Sequence, residues 1–263
     1  MPRLGEVTGV PAARQALAVL QAMARLAGPV QAAALARDLG LPRSTTYHLL
    51  AELQAAGFVV HLPEERRYGL GVAAFELGTA YLRQEPLARL ARPVLARLVE
   101  AVGSTAHLAV LHGREVLYVV EERAPRRPPL VTDVGVRLPA QLTASGRAVL
   151  AHLPAAHVRA LFPDAGAFVE RHGTGPTSLS QLRRILVDVR RRGHATEDGE
   201  VTPGFASVAA AVFDHAGRPV AGLAVTFAAA DVPAHARPAL LTPVGRAAGE
   251  LTRRLGGRPP AGY

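Results

Sequence analysis

The chain has 263 residues, no cysteine, a net charge of +9 and 49% apolar residues, few of them aromatic. That length accommodates two modest domains with cores of their own, and the apolar content argues against disorder. The missing cysteines exclude a disulfide framework and a thiolate metal site, and no basic-then-apolar leader or run of about 20 apolar residues is present, so a cytoplasmic protein with no membrane partner is expected. Residues 1–70 carry seven arginines against five acids, +2, which leaves +7 downstream. Charge therefore admits nucleic acid as a partner without marking where it binds. Local pattern has to do that.

Residues 11–27 place Ala16, Leu17, Leu20, Met23, Ala24 and Ala27 on one face of a first helix, which Gly28-Pro29 ends. A second helix follows with Ala33, Leu35, Ala36 and Leu39 at helical spacing and Gly40 as its stop. Pro42 opens a third, whose buried stripe is Leu49, Leu50 and Leu53. Its first two turns leave Arg43, Ser44, Thr45, Thr46, Tyr47 and His48 outward. Such a polar N-terminal face suits the major groove, whose base edges offer donors, acceptors and thymine methyls. After Gly57, Phe58-Val59-Val60 and Tyr68-Gly69-Leu70 flank the charged tip 63–67, a hairpin. Helix, turn, helix and hairpin within about forty residues make a winged helix-turn-helix. The expected DNA contacts are Arg43, Ser44, Thr45, Thr46 and His48 on the helix, with Arg66 and Arg67 of the wing on backbone or minor groove.

Residues 71–84 have the apolar spacing of a helix (Val72, Phe75, Leu77, Ala80, Tyr81), either an interdomain helix that packs on a second copy as well as on its own chain or, equally, a fourth core helix of the first domain. The reading is thus residues 1–70 as DNA-binding domain, 71–85 as linker and 86–263 as a second domain. That domain opens with a helix over 87–102. The strand pair His107–Leu111 and Val116–Val120 follows, then an Arg/Pro-rich loop, a short strand at Val131–Val136 and a helix at Ser145–Leu153. Val158–Phe162 reads as a turn and Leu182–Arg192 as an amphipathic helix with a solvated arginine face. Phe205–Phe213 and Pro219–Phe227 form a hairpin around Asp214–Arg218. A helix over Leu240–Leu255 closes the domain, and Gly256–Tyr263 reads as disordered. Helices around hairpin strands give an α+β class.

No nucleophile motif, metal spacing or phosphate loop appears, so neither an enzyme nor a bound cofactor is expected. His107 and His112 lie five apart across a strand and turn and need not converge. A ligand pocket is better supported than an enzyme. Leu138–Arg147 leads into the Ser145 helix, which Thr143 or Ser145 can cap, and the free first amides of a helix suit a carboxylate, although an ordinary helix cap is the stronger reading of these residues by themselves.

Four stretches carry a family resemblance. LARDLGLPRSTTYHLLAELQAAGFV with RRYGLG is similar to the DNA-binding domain of IclR-type bacterial transcriptional regulators. VGVRLPAQLTASGRAVLA and RRRGHATEDGEVTPGFASVAAAVFDHAGRPVAGLAVT resemble that family's effector-domain signatures. The resemblance implies a GAF-like second domain with a small ligand between the helix start and the strands. By the same resemblance, Ala144 and Ser145 offer amides to a ligand carboxylate, and Glu197 is an acidic pocket residue. Ser207 stands where many members have cysteine, and Ala224 and Thr226 where some place hydroxyls. Ser207 excludes thiol-dependent sensing, and Ala224 removes a hydroxyl, which favours a larger or more apolar acid, such as an aromatic one. The expected partners are double-stranded DNA, a small-molecule effector and a second copy, as a homodimer or a dimer of dimers. The rival reading is a metabolite sensor whose helix-turn-helix contacts protein; a helix for that purpose would more often show Leu or Phe where Arg43–His48 stand.

Overall fold

A computed structural model describes residues 10–84, 86–125, 130 and 132–260. The chain divides into two compact units between Gln84 and Glu85. In the first, α1 (Pro11–Ala24), α2 (Ala32–Asp38) and α3 (Arg43–Ala55) precede the hairpin β1 (Val59–Leu62) and β2 (Arg67–Leu70), then α4 (Val72–Gln84). Val19, Met23, Leu35, Leu49, Leu50 and Leu53 form its core. Leu17, expected inside, is 60% exposed, and Val19 is buried instead. Apolar residues surround this helix, so its sequence leaves the phase open; the buried pair Val19 and Met23 sets it one residue away from Leu17's face. The wing is tied down by a third backbone partner, with Val30 and Tyr68 exchanging both N–H···O bonds at 2.9 and 2.8 Å.

In the second unit, α5 (Pro86–Val102) leads to β3 (Thr105–His112) and β4 (Glu115–Glu122). Then come β5 (Arg137–Pro139), α6 (Ala144–Ala151), α7 (Ala155–Leu161), α8 (Leu179–Arg192) and β6 (Ala195–Asp198). The unit ends with β7 (Phe205–Phe213), β8 (Pro219–Ala228) and α9 (Pro238–Arg254). The six strands form one antiparallel sheet in the order β5-β4-β3-β8-β7-β6. Helices α5 and α9 cover one face, with Ala206, Val208, Ala210 and Val212 of β7 turned to them. Helices α6, α7 and α8 pack with Ala209, Ala211 and Phe213, which point the other way. Both faces of β7 are covered, and it reads as the near-continuous apolar run that such burial requires.

Several expectations are corrected. Thr132–Val136 is not a strand: a turn at Asp133–Gly135, with Gly135 at φ 87°, breaks the ladder until Arg137 (Val131 lies outside the described residues). The segment expected as a turn at Val158–Phe162 belongs to α7. Strands β5 and β6 were not foreseen. The tail from Gly256 to Arg258 is folded back rather than disordered: the Gly257 amide donates to the Thr252 carbonyl at 2.8 Å and that of Arg258 to Asp214 at 3.2 Å. A Cβ on Gly257 would lie 2.0 Å from the Phe213 carbonyl oxygen, so only glycine allows this approach. Ala261–Tyr263 lie outside the described residues.

Candidate functional site

The first site is the outer face of α3. Gly40, at φ 63°, ends α2, and the Leu41 amide turns back onto the Ala36 carbonyl at 2.9 Å. This delivers the chain to Pro42, the cap residue of α3. Arg43, Ser44 and His48 are exposed and Thr45 is half-buried, as a reading face requires. Thr46 is not part of it. It is fully buried, and its hydroxyl donates to the Pro42 carbonyl at 3.1 Å, one turn back. The spacing 46, 49, 50, 53 shows why: Thr46 is the first member of the leucine stripe. Tyr47, 53% exposed, takes its place on the surface. In the wing, Arg66 is exposed at φ 52°, and Arg67 is exposed yet donates to the Pro29 carbonyl at 3.3 Å.

The second site is a partly open cavity of about 80 Å³ in the second unit, lined by Ala144, Ser145, Glu197, Ser207, Ala224 and Thr226 among others. Sheet register explains how residues so distant in sequence converge. Glu197 pairs with Ser207 and Ser207 with Thr226, so one cross-strand row carries the polar floor over three strands, β6, β7 and β8. The Ser207 hydroxyl donates to Glu197 Oε1 at 2.8 Å and lies 2.8 Å from Thr226 Oγ1.

Above the floor stands the start of α6. Thr143 caps it, accepting from the Gly146 amide at 3.0 Å, which decides between the two expected caps. Two glycines let this helix start press onto its supports. A Cβ on Gly146 would lie 2.3 Å from the Ala140 carbonyl oxygen, and one on Gly222 of β8 would lie 2.3 Å from that of Ser145. Arg147, 4% exposed, holds the helix from its other side. Its Nε donates to the Gln141 carbonyl and Nη1 to that of Thr196, both at 2.8 Å, and it grips Glu200 through two bonds of 3.0 and 2.7 Å. Its charge is thereby spent away from the cavity.

Burial raises the Glu197 carboxyl to about 7; the Ser207 bond lowers it, Glu200 raises it further, and the Val201 amide and Arg147 pull back. Tyr118, also in the wall, is pushed up to about 12 by burial; the nearby Ser145 hydroxyl lowers it and Glu197 raises it. Although Ser145 lies close enough to act on the phenol, its Oγ makes no hydrogen bond of good geometry among the described residues, and neither does Glu197 Oε2. Thr132, in the wall, lies 3.4 Å from the His107 ring nitrogens. Burial lowers His107 to about 3, so its 3.7 Å approach to Glu121 is a contact of neutral imidazole, not an ion pair.

Tyr118, Thr132 and Phe205 line the cavity and were not expected there from the sequence; Thr143, expected as a cap, lines it too. Phe205 was findable, two residues from Ser207 on one strand face. Tyr118 was not, because a bulge at Leu108/Ala109 sets its register, placing Tyr118 opposite Ala109 and Glu121 opposite His107. Among the described residues no group of three or more His, Asp or Glu converges on a metal position. No helix there is long and apolar enough to cross a membrane.

Two family profiles match the chain: "IclR helix-turn-helix domain" over residues 12–63 and "Bacterial transcriptional regulator IclR C-terminal" over residues 79–253. The transcriptional repressor IclR of Escherichia coli is 30% identical over 227 residues, 86% of this chain and 81% of that protein. The glycerol operon regulatory protein of Streptomyces coelicolor is 34% identical over 224 residues, 84% and 87% of the two chains. Among solved structures, that of the Thermotoga maritima IclR superposes with a TM-score of 0.70 at 25% identity, over 94% of this chain and 99% of that one. Profiles that span both units and relatives aligned over most of their length agree: the chain belongs to the IclR family of bacterial transcriptional regulators.

Proposed function

We propose that this protein is a ligand-responsive, sequence-specific DNA-binding regulator of a metabolic or catabolic operon. The observation that carries the reading is one chain holding both a helix with an outward polar face and a partly open pocket with unpaired polar atoms among the described residues. Arg43, Ser44, Thr45 and His48 contact bases and phosphates, and Arg66 touches the DNA backbone or minor groove. Arg67 serves the wing through Pro29 and adds positive charge beside the duplex. The second unit acts as a GAF-like sensor, in which Ala144 and Ser145 receive an effector carboxylate and Glu197, Ser207, Ala224 and Thr226 meet the rest of the molecule. The effector is a small organic acid, with an aromatic acid favoured over a very small oxoacid because Ala224 adds only a methyl to the wall.

The exposed face of α3 does not favour the rival of a protein-contact helix, since its only large apolar residue is Tyr47, which ends in a hydroxyl. Selection of random duplex DNA on the purified protein at near-physiological salt tests the proposal, alone and with pooled aromatic and oxo acids. Enrichment of a two-fold-related site is expected. No motif under either condition would reject the reader role. Recovery of a motif whose binding no acid alters would reject the acid as the signal.

A further inference from the structure

We infer that the outer face of α8, in the second unit, is a second DNA surface, one that holds the phosphate backbone of duplex flanking the operator without regard to sequence. This goes beyond the reading role of α3 and rests on that role only to bring the duplex to the protein.

The charge balance points to this face. Residues 1–70 hold +2 of the net +9, which leaves +7 downstream. Helix α8 alone, 14 residues long, carries Arg183, Arg184, Arg190, Arg191 and Arg192 against Asp188, five arginines to one acid, +4 and more than half of that surplus. All five arginines are exposed, while Leu182, Leu186 and Val189 are buried.

Folding accounts for part of this charge. Arg190, Arg191 and Arg192 occupy the last turn, where the helix dipole favours cations. Arg190 donates to the Ala151 carbonyl at 2.7 Å, and Arg191 and Arg192 share the Asp188 carboxylate at 2.5 and 3.0 Å. Arg183 and Arg184 lie upstream of that turn, and neither makes a hydrogen bond or ion pair among the described residues. Arg183 stands seven residues before Arg190, and Arg184 seven before Arg191. On a 3.6-residue helix the four therefore line one side in two parallel rows about 10 Å long. Like charges so placed repel one another, and a polyanion relieves that repulsion.

The face suits phosphate better than protein. Val187, 55% exposed, is the only large apolar residue exposed on α8, and the helix has no aromatic ring. A protein interface centres on apolar and aromatic anchors, whereas a DNA interface is polar and strongly positive. Contacts to phosphate carry no sequence information, so the face adds affinity and leaves the choice of site to α3.

Fluorescence anisotropy of the full chain on two duplexes tests this, one trimmed to the selected site and one with about 20 base pairs added on each side, between about 50 and 200 mM salt. Two further phosphate contacts steepen the salt slope by about 1.8, so the flanked duplex should lose about ten-fold more affinity over that range than the trimmed one. Arg183→Gln combined with Arg184→Gln should remove this excess and leave the selected motif unchanged. The urea midpoint should stay at the wild-type value, since neither side chain has a bond to lose. Extra copies loading on the flanks through α3 would survive the substitution. A flank effect that the double variant retains therefore overturns the proposal. A flank effect absent from wild type overturns it too, and leaves the face to an acidic protein surface. If the selection returns no motif, the reading role of α3 fails by itself; a duplex of about 60 base pairs of arbitrary sequence then replaces the site, and a salt slope that the double variant does not lower overturns the second surface as well.

Discussion

Glu197 places a pH signature on folding. Its carboxyl is near 7 in the folded chain, against an ordinary value of 4.5, because the buried charge is poorly solvated. A raised folded value means that the folded form holds the proton longer: the contribution is fully present below pH 4.5 and is lost as pH rises through about 7. His107, lowered to about 3, has the opposite sign, its contribution present above pH 6.5 and lost as pH falls, so wild type alone does not isolate Glu197. The difference from Glu197→Gln does. Between pH 5 and pH 8 the variant should gain about 2–3 kcal/mol relative to wild type in urea unfolding, from about 1.4 kcal/mol per pKa unit. Parallel profiles would refute the burial of a titrating carboxyl. Gly222 makes a second residue-scale test. A methyl there would lie 2.3 Å from the Ser145 carbonyl oxygen, which is backbone and cannot swing away. Gly222→Ala should cost about 1–3 kcal/mol, read as a lower urea midpoint, and displace the helix start that forms the pocket wall. Unchanged stability would show that α6 does not rest on β8 there.

At the scale of elements, α3 separates structural from reading residues. Thr46→Val keeps the shape and loses the bond to Pro42, so stability should fall by about 1 kcal/mol while the selected DNA motif stays the same. Arg43→Ala should leave stability unchanged and alter binding in one of two ways. A phosphate contact lowers the salt slope by about one unit; a base contact relaxes one position of the site by about 1–3 kcal/mol. A changed motif in Thr46→Val, or wild-type binding by Arg43→Ala, would reverse these assignments. The helix-turn-helix and wing were legible in the sequence because each part is local: a glycine stop, a leucine stripe and a hairpin within about forty residues. Thr46 was misread because it is polar, although it falls on the stripe's own period. In the second unit the long helices and the β3–β4 and β7–β8 hairpins were also legible. Strand β6 was not, since four residues with two acids carry little strand signal and pair with β7 only in the finished sheet. The six candidate effector residues line one cavity, yet the residues alone pointed only to the α6 start; the others came from family resemblance. Cross-strand register brings Glu197 and Thr226 together, and a single strand's sequence does not contain it.

For the whole molecule the open matter is how many copies act together. Helix α4 carries Val72, Phe75 and Leu77 at 67%, 71% and 63% exposure, and Leu17 of α1 is 60% exposed. Isolated apolar residues are ordinary on a surface, but three large ones within six positions of a single helix are costly to leave in water. One winged helix reads a short half-site, and two-fold pairing of readers is the usual route to specificity. We therefore expect a homodimer, or a dimer of dimers, with α4 in the contact. Phe75→Glu is the informative variant. Because Phe75 packs little within its own chain, the substitution should not lower the urea midpoint of the monomer. It should place a charge in the interface, where an unpaired buried carboxylate is strongly disfavoured. Sedimentation should show wild type as a dimer or larger and Phe75→Glu as a monomer at micromolar concentration, with selected DNA shrinking from a two-fold site to a weakly bound half-site. If Phe75→Glu sediments and selects DNA as wild type does, α4 is not the contact. If wild type is itself a monomer that selects a full two-fold site, pairing forms only on DNA, and Phe75→Glu should then abolish cooperativity between half-sites rather than assembly in solution.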